Sequence, residues 1–148
     1  MLMIGVINEL QQQVARSGKS SVTELEVLSY FLCQGTDSRL NTETAILRGI
    51  IYFLTSEQTF LISHLREKYD HAGQKLLDDS NAFYSLAKVF RQMLQDPKLT
   101  VAYLVVDALD ECEVGLPELL DLITWTVSAQ PTHVKWLVSS RNRAATRG

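Results

Sequence analysis

Three carboxylates, Asp107, Asp110 and Glu111, follow directly on the apolar run Tyr103 to Val106. The aliphatic and β-branched residues Val101, Leu104, Val105 and Val106 read as a strand buried on both faces, so Asp107 should emerge at its carboxyl end. In open α/β sheets that end is where ligands bind. One acid at the tip of a hydrophobic strand, with two more three and four residues later, can hold hydrated Mg²⁺ and polarise an attacking water. The plainer alternative is a strand that ends in a solvated acidic turn, with Asp110 capping the next helix.

The surrounding segments supply the elements that would position these acids. Met1 to about Ala15 repeats Leu2, Val6, Leu10 and Val14 at helical spacing, although no capping residue precedes it. A polar connection from Arg16 to Glu26 leads to Val27–Cys33, a second short apolar run that reads as a buried strand. Asn41 with Glu43 signals the start of a helix whose apolar face holds Ile46, Leu47, Ile50, Ile51 and Leu54. A further helix runs from about Gln58 to Tyr69. Ser80 or Asn81 opens another, with Phe83, Leu86, Phe90 and Met93 on one face and Asp96-Pro97 as its stop. Pro117 suits the first turn of a helix reaching about Val127, and Val134 to Ser140 reads as a third strand. Strands separated by helices predict a parallel, doubly wound sheet.

At 148 residues the chain fits one domain with a real core, and a hydrophobic content of 46% excludes global disorder. The net charge of −3 gives no electrostatic reason to expect nucleic acid or an anionic membrane, and is too weak to imply a cationic partner. Cys33 and Cys112 lack CxxC or Cys/His ligand spacing, which suits a reduced, cytoplasmic protein. The start lacks a basic region and a small-residue cleavage site, and no apolar run approaches the roughly 20 residues that span a bilayer.

"LSYFLCQGTDSRLN", "YLVVDALDECE" and "VKWLVSSRN" occur in that order, with "LISHLREKYDHAG" and "MLQDP" between them. Together they resemble fungal NACHT-type NTPase domains of the STAND signalling class. These are the vegetative-incompatibility-like proteins whose domain is described as nephrocystin-3-like N-terminal, and the likeness runs from Met1 to Asn142. The resemblance implies that Asp107 is the Walker-B acid associated with Mg²⁺, and that Asp110 and Glu111 are the pair that polarises water. It implies that Arg141 is the sensor-1 residue at the γ-phosphate. A guanidinium at a strand's carboxyl end suits phosphate chemistry, the alternative being an ordinary surface arginine. Mg²⁺ with ATP or GTP is implied for the intact domain, and none bound tightly by this chain.

A phosphate cradle needs G-x-x-x-x-G-K-[ST] between a strand and a helix. Ser17-Gly18-Lys19-Ser20 imitates its end, but Gln13 stands where the leading glycine belongs and the segment follows a helix. In the family, a segment like "MLMIGVINEL" follows the P-loop directly, so the resemblance implies that residues 1–142 form a truncated domain lacking the P-loop strand. Residues 143–148 read as a disordered basic tail. The expected fold is an incomplete three-layer, P-loop NTPase-like α/β domain. Its short parallel sheet is ordered sensor-1 strand, Walker-B strand, second strand, and helices flank it. The sensor-1 strand, Val134 to Ser139, would be an apolar open edge prone to self-association or to pairing with a donor strand.

Two functions from different classes follow. One is a piece of a signalling NTPase domain, inactive alone. The other is a non-enzymatic interaction module derived from that domain. A helicase-like reading of "DEC" lacks the basic stripe it needs. His64 and His71 lack a third metal ligand at matching spacing, Arg66, Lys68 and Lys75 read as a solvated face, and the acids beside Cys112 disfavour a reactive thiol.

Overall fold

The computed structural model describes residues 5–12, 25–72, 81–129 and 134–141. In chain order the elements are helix α1 (5–12), β1 (Leu25–Leu32), α2 (Glu43–Glu57), α3 (Ile62–Ala72), α4 (Ala82–Leu94), β2 (Leu99–Asp107), α5 (Leu116–Ala129) and β3 (Val134–Val138). One 3₁₀ turn, Thr59–Leu61, precedes α3, and another, Leu109–Glu111, follows β2. The strands make one parallel sheet in the order β1-β2-β3, with Leu32 opposite Asp107 and Val106 opposite Val138. This is the strand order that the family resemblance implies. Among the described residues, β3 is paired on one side alone.

Alternation along β2 sends its side chains to two unequal layers. Ala102, Leu104 and Val106 enter the large core with Ile46, Leu54, Phe90 and Met93 of α2 and α4. Val105 faces the other way, into a small cluster with Leu28 and Ile7 of α1. The buried hydroxyl of Ser29 donates to the Ile50 carbonyl (2.9 Å), so this polar strand residue is satisfied inside the core. Gly49 lets α2 lie close to β1, since a Cβ there would collide with the Phe31 ring.

The helix starts differ in detail from the sequence expectation. The N-cap of α2 is Thr42, whose hydroxyl accepts from the Ala45 N–H (3.1 Å). Asn41 instead donates its side-chain amide to the Gly35 carbonyl (2.8 Å). Asn41 and Thr42 are both good caps, and only tertiary position decides which backbone amides lie within reach. Asn81 is the N-cap of α4 without a side-chain capping bond, and Ser80 lies outside the described residues. At the far side of the sheet, β3 is fixed by Trp136. Its indole donates to Thr126 Oγ1 (2.8 Å) and its ring meets Phe90 edge-on, centroids 6.2 Å apart.

Candidate functional site

Asp107 is the last residue of the central strand, so its carboxylate stands at the carboxyl end of the sheet. The next residue, Ala108, has φ 58° and ψ 47°, the left-handed region that costs an L-residue about 1–2 kcal/mol. That single reversal turns the chain out of the strand and into the Leu109–Glu111 turn. A strained backbone persists only where its surroundings over-determine it. Here the determinant is Ser139, just past β3. Its N–H donates to the Val106 carbonyl (3.0 Å), and its carbonyl accepts from the Leu109 N–H (2.9 Å). Its hydroxyl accepts from the Ala108 N–H (2.9 Å) and donates to Asp107 Oδ1. The hydroxyl thus turns one oxygen of Asp107 toward β3.

The opposite flank of the turn is held by the loop after β1. Cys33 donates its N–H to the Asp107 carbonyl (3.1 Å), and the Glu113 N–H donates to the Asn41 carbonyl (2.7 Å). The Glu43 N–H donates to the Val114 carbonyl (3.0 Å). Gly115, at φ 77°, sits where a Cβ would run into the Glu43 carboxylate.

Asp110 and Glu111 meet Arg141 across 31 and 30 positions of sequence. Asp110 accepts both the Arg141 main-chain N–H (3.1 Å, at Oδ1) and its Nε–H (3.0 Å, at Oδ2), and Glu111 lies 3.5 Å from the guanidinium. The Asp110 side chain is only 5% exposed, although Arg141 is 68% exposed. Burial alone would raise the Asp110 pKa, but the backbone and side-chain hydrogen bonds and the charge of Arg141 outweigh it. The group is held below the ordinary carboxylate range. Asp107, Asp110, Glu111, Ser139 and Arg141 line one open cleft of about 260 Å³.

All four residues singled out in the sequence, Asp107, Asp110, Glu111 and Arg141, therefore share one site. Asp110 does not cap α5, the plainer role open to it, because its carboxylate is occupied by Arg141. Ser139 and Ala108 were not singled out. A serine directly after an apolar strand is a weak signal, and nothing local marks Ala108 as left-handed. Burial, then Cys112 and the acids nearby, push the Cys33 thiol up to about 12. Burial also raises Cys112, so both thiols stay protonated at neutral pH. His64 pairs with Asp96 (2.8 Å), tying α3 to the start of β2, whereas the side chain of His71 lies outside the described residues. Ser17–Ser20 and the segment 142–148 also lie outside them.

The sequence matches the family described as Nephrocystin 3, N-terminal over residues 1–141. The chain belongs to this nephrocystin 3 N-terminal family. It is 49% identical over 142 residues to the vegetative incompatibility protein HET-E-1 of Podospora anserina. That match covers 96% of this chain and 10% of the relative, so the chain spans about a tenth of the relative's length. No solved structure matches. Among the described residues of this family member, no helix is long and apolar enough to cross a membrane, and no group of three or more His, Cys, Asp or Glu is placed to hold a metal ion.

Proposed function

We propose that the chain is part of a NACHT-type nucleotide-hydrolysing signalling domain and supplies its Walker-B and sensor-1 side. The observation that carries this reading is the shared cleft: an acid at the tip of a central parallel strand, two further acids and an arginine, all at the carboxyl edge of the sheet. The donor set suits Mg²⁺ delivered with a nucleotide. Magnesium keeps water and phosphate oxygens and needs only one or two protein carboxylates, which agrees with Asp107 standing as a lone strand-tip acid beside an acidic pair. When bound, the metal would neutralise charge on the phosphates.

The chain's own residues then divide the work. Asp107 would hold the hydrated metal, with Ser139 fixing one carboxylate oxygen. Asp110 and Glu111 would polarise water, and Arg141 would meet phosphate oxygens once it leaves the two acids. Because Gln13 replaces the loop's leading glycine, Ser17–Ser20 does not supply the phosphate cradle, and the chain alone turns over no nucleotide. ATP and GTP are both compatible with these residues.

The test is to exchange this chain into the corresponding segment of the 49%-identical relative and to measure Mg²⁺-dependent nucleotide binding and hydrolysis. Asp107→Ala should weaken binding, whereas Glu111→Gln should slow hydrolysis and leave binding largely intact. Equal loss of binding in both variants would undo the assignment. Turnover by the isolated chain that Lys19→Ala abolishes would restore the rejected loop.

A second reading, a protein-interaction module, is favoured by β3. Its Leu137 and Val138 are exposed, and among the described residues its outer edge pairs with no strand. Such an edge self-associates or accepts a donor strand. Sedimentation should show association that a Val138→Pro change reduces.

A further inference from the structure

The two acids that meet Arg141 are not equivalent. Both oxygens of Asp110 are taken by that one residue, Oδ1 by its main-chain N–H (3.1 Å) and Oδ2 by its Nε–H (3.0 Å), and the Asp110 side chain is 5% exposed. A group that takes a proton from water must lie within hydrogen-bond reach of it, and water reaches a carboxylate buried in this way poorly. Glu111 differs on each count. Its side chain is 31% exposed, and its Oε1 lies 3.5 Å from Arg141 Nη2, beyond the reach of a good N–H···O bond, which is about 2.7–3.2 Å.

The two contacts also meet different parts of the arginine. The main-chain N–H and Nε lie at the root of the side chain, and Nη2 lies at its tip. A grip at two points of the root fixes the direction of the side chain, while the planar tip keeps further donors for another acceptor. The charge-assisted bonds to a buried carboxylate are the stronger contact. The long ion pair with a partly exposed acid is the weaker, and is the one that an incoming anion displaces. Arg141 is itself 68% exposed. Among the described residues lining the cleft of about 260 Å³ it is the one basic side chain, set beside Asp107, Asp110 and Glu111.

We propose that Asp110 is a positioning residue that keeps hold of the Arg141 root throughout, so that the guanidinium tip exchanges Glu111 for a phosphate oxygen and the arrival of the phosphate frees Glu111. The proposal rests on the nucleotide reading above and narrows it. Arg141 gives up Glu111 alone, and Glu111 alone is left to polarise water. Without an anion the tip masks Glu111, so the group that acts on water is released only when there is a phosphate for the water to attack.

Nuclear magnetic resonance of the full chain tests it, with the Arg141 Nε–H and the main-chain amides of residues 139–141 as reporters. Inorganic phosphate is the probe, against chloride of equal ionic strength. Without phosphate, Asp110→Asn should speed exchange of the Nε–H with water about tenfold or more, whereas Glu111→Gln should change it less than about twofold. Phosphate should then separate the two variants by sign. Glu111→Gln should raise the phosphate affinity about threefold or more, because the tip loses its competitor, and Asp110→Asn should lower it about threefold, because the tip is no longer aimed. Each substitution removes one negative charge, so electrostatics alone would raise the affinity in both. Arg141→Lys serves where Asp110→Asn does not fold: the position is exposed, the charge is kept and the Nε–H is lost, so the affinity should fall as in Asp110→Asn. A rise in both acid variants, Nε–H exchange that follows Glu111 instead of Asp110, unchanged affinity in Arg141→Lys, or reporters in Glu111→Gln that ignore phosphate overturns the proposal. None of these readouts needs turnover. If they come out as expected while the exchanged relative binds no nucleotide, the pivot stands and the nucleotide reading falls. If the exchanged relative hydrolyses nucleotide but both acid variants gain affinity for phosphate, the reading stands and the pivot falls.

Discussion

The core between the sheet and α2 and α4, and the rim at the sheet's carboxyl end, draw on the same strands but are held together by different means. In the core, Ile46, Leu54, Phe90 and Met93 are sealed from water; the buried hydroxyl of Ser29 donates to the Ile50 carbonyl of α2, and that of Thr126 to the Ile123 carbonyl of its own helix. Its strength is spread over many contacts of small individual value. At the rim few residues carry many obligations. Ser139 serves Val106, Ala108, Leu109 and Asp107, and Asp110 takes Arg141 twice. Changes of volume should therefore unfold the core, whereas changes at the rim should alter geometry and charge at smaller cost in stability.

The largest effect should come from the core. Phe90→Ala removes a fully buried ring that also meets Trp136, and should cost about 3–5 kcal/mol in chemical denaturation. A loss under about 1 kcal/mol would show that the core is looser than its burial implies. Next come the two positive-φ positions beside the acidic turn, which should respond with opposite sign. Gly115→Ala combines an unfavourable φ with a collision against Glu43 and should destabilise by about 1–3 kcal/mol. Ala108→Gly relieves a left-handed alanine, and should be neutral or stabilising by up to about 1 kcal/mol. Destabilisation by both would mean that Ala108 is not strained.

Ser139→Ala should cost about 1–2 kcal/mol by leaving the Ala108 N–H without its acceptor, and Ser139→Thr should recover part of it. Equal loss in the two variants would point to crowding instead of the hydroxyl.

The smallest effects should appear only as slopes against pH. Asp110 and Asp96 have folded pKa values below their unfolded ones. Their contribution is present above the ordinary carboxylate range near 3.9, and is lost as pH falls through the folded values. Asp110→Asn should flatten the acid limb of the urea midpoint. Cys33 runs the other way: its folded pKa of about 12 lies above the ordinary thiol value of 9.0, so its contribution is intact below 9.0 and fades as pH rises toward 12. An unchanged alkaline limb in Cys33→Ala would contradict its burial.

Legibility in the sequence follows the same division. The three strands, the apolar faces of α2 and α4 and the position of Asp107 were readable because each depends on a local period or on the end of a local run. The order of the strands came from likeness to the family, since periodicity sets which face of a strand is buried but not which strand lies beside it. The pairing of Arg141 with Asp110 and the grip of Ser139 on Asp107 join residues 31 and 32 positions apart, and no local pattern encodes such contacts. Thr42 replaced Asn41 as the cap of α2 for the same reason. Ala108 was invisible because alanine is an unusual choice for a left-handed position, where glycine or asparagine would have announced the turn.

Ser139 also limits where this stretch of chain can change length. Its amide, carbonyl and hydroxyl are all committed to the end of β2, and five residues earlier Val134 is already in register with Ala102. Deleting Lys135 would send every following side chain of β3 to the opposite face, withdrawing Trp136 from Thr126 and offering Ser140 in place of Ser139. Adding a residue there would bring Val138 to the Asp107 carboxylate. The interval from Val134 to Ser139 should therefore behave as an indivisible word in the sequence, open to substitution within it but closed to insertion or deletion.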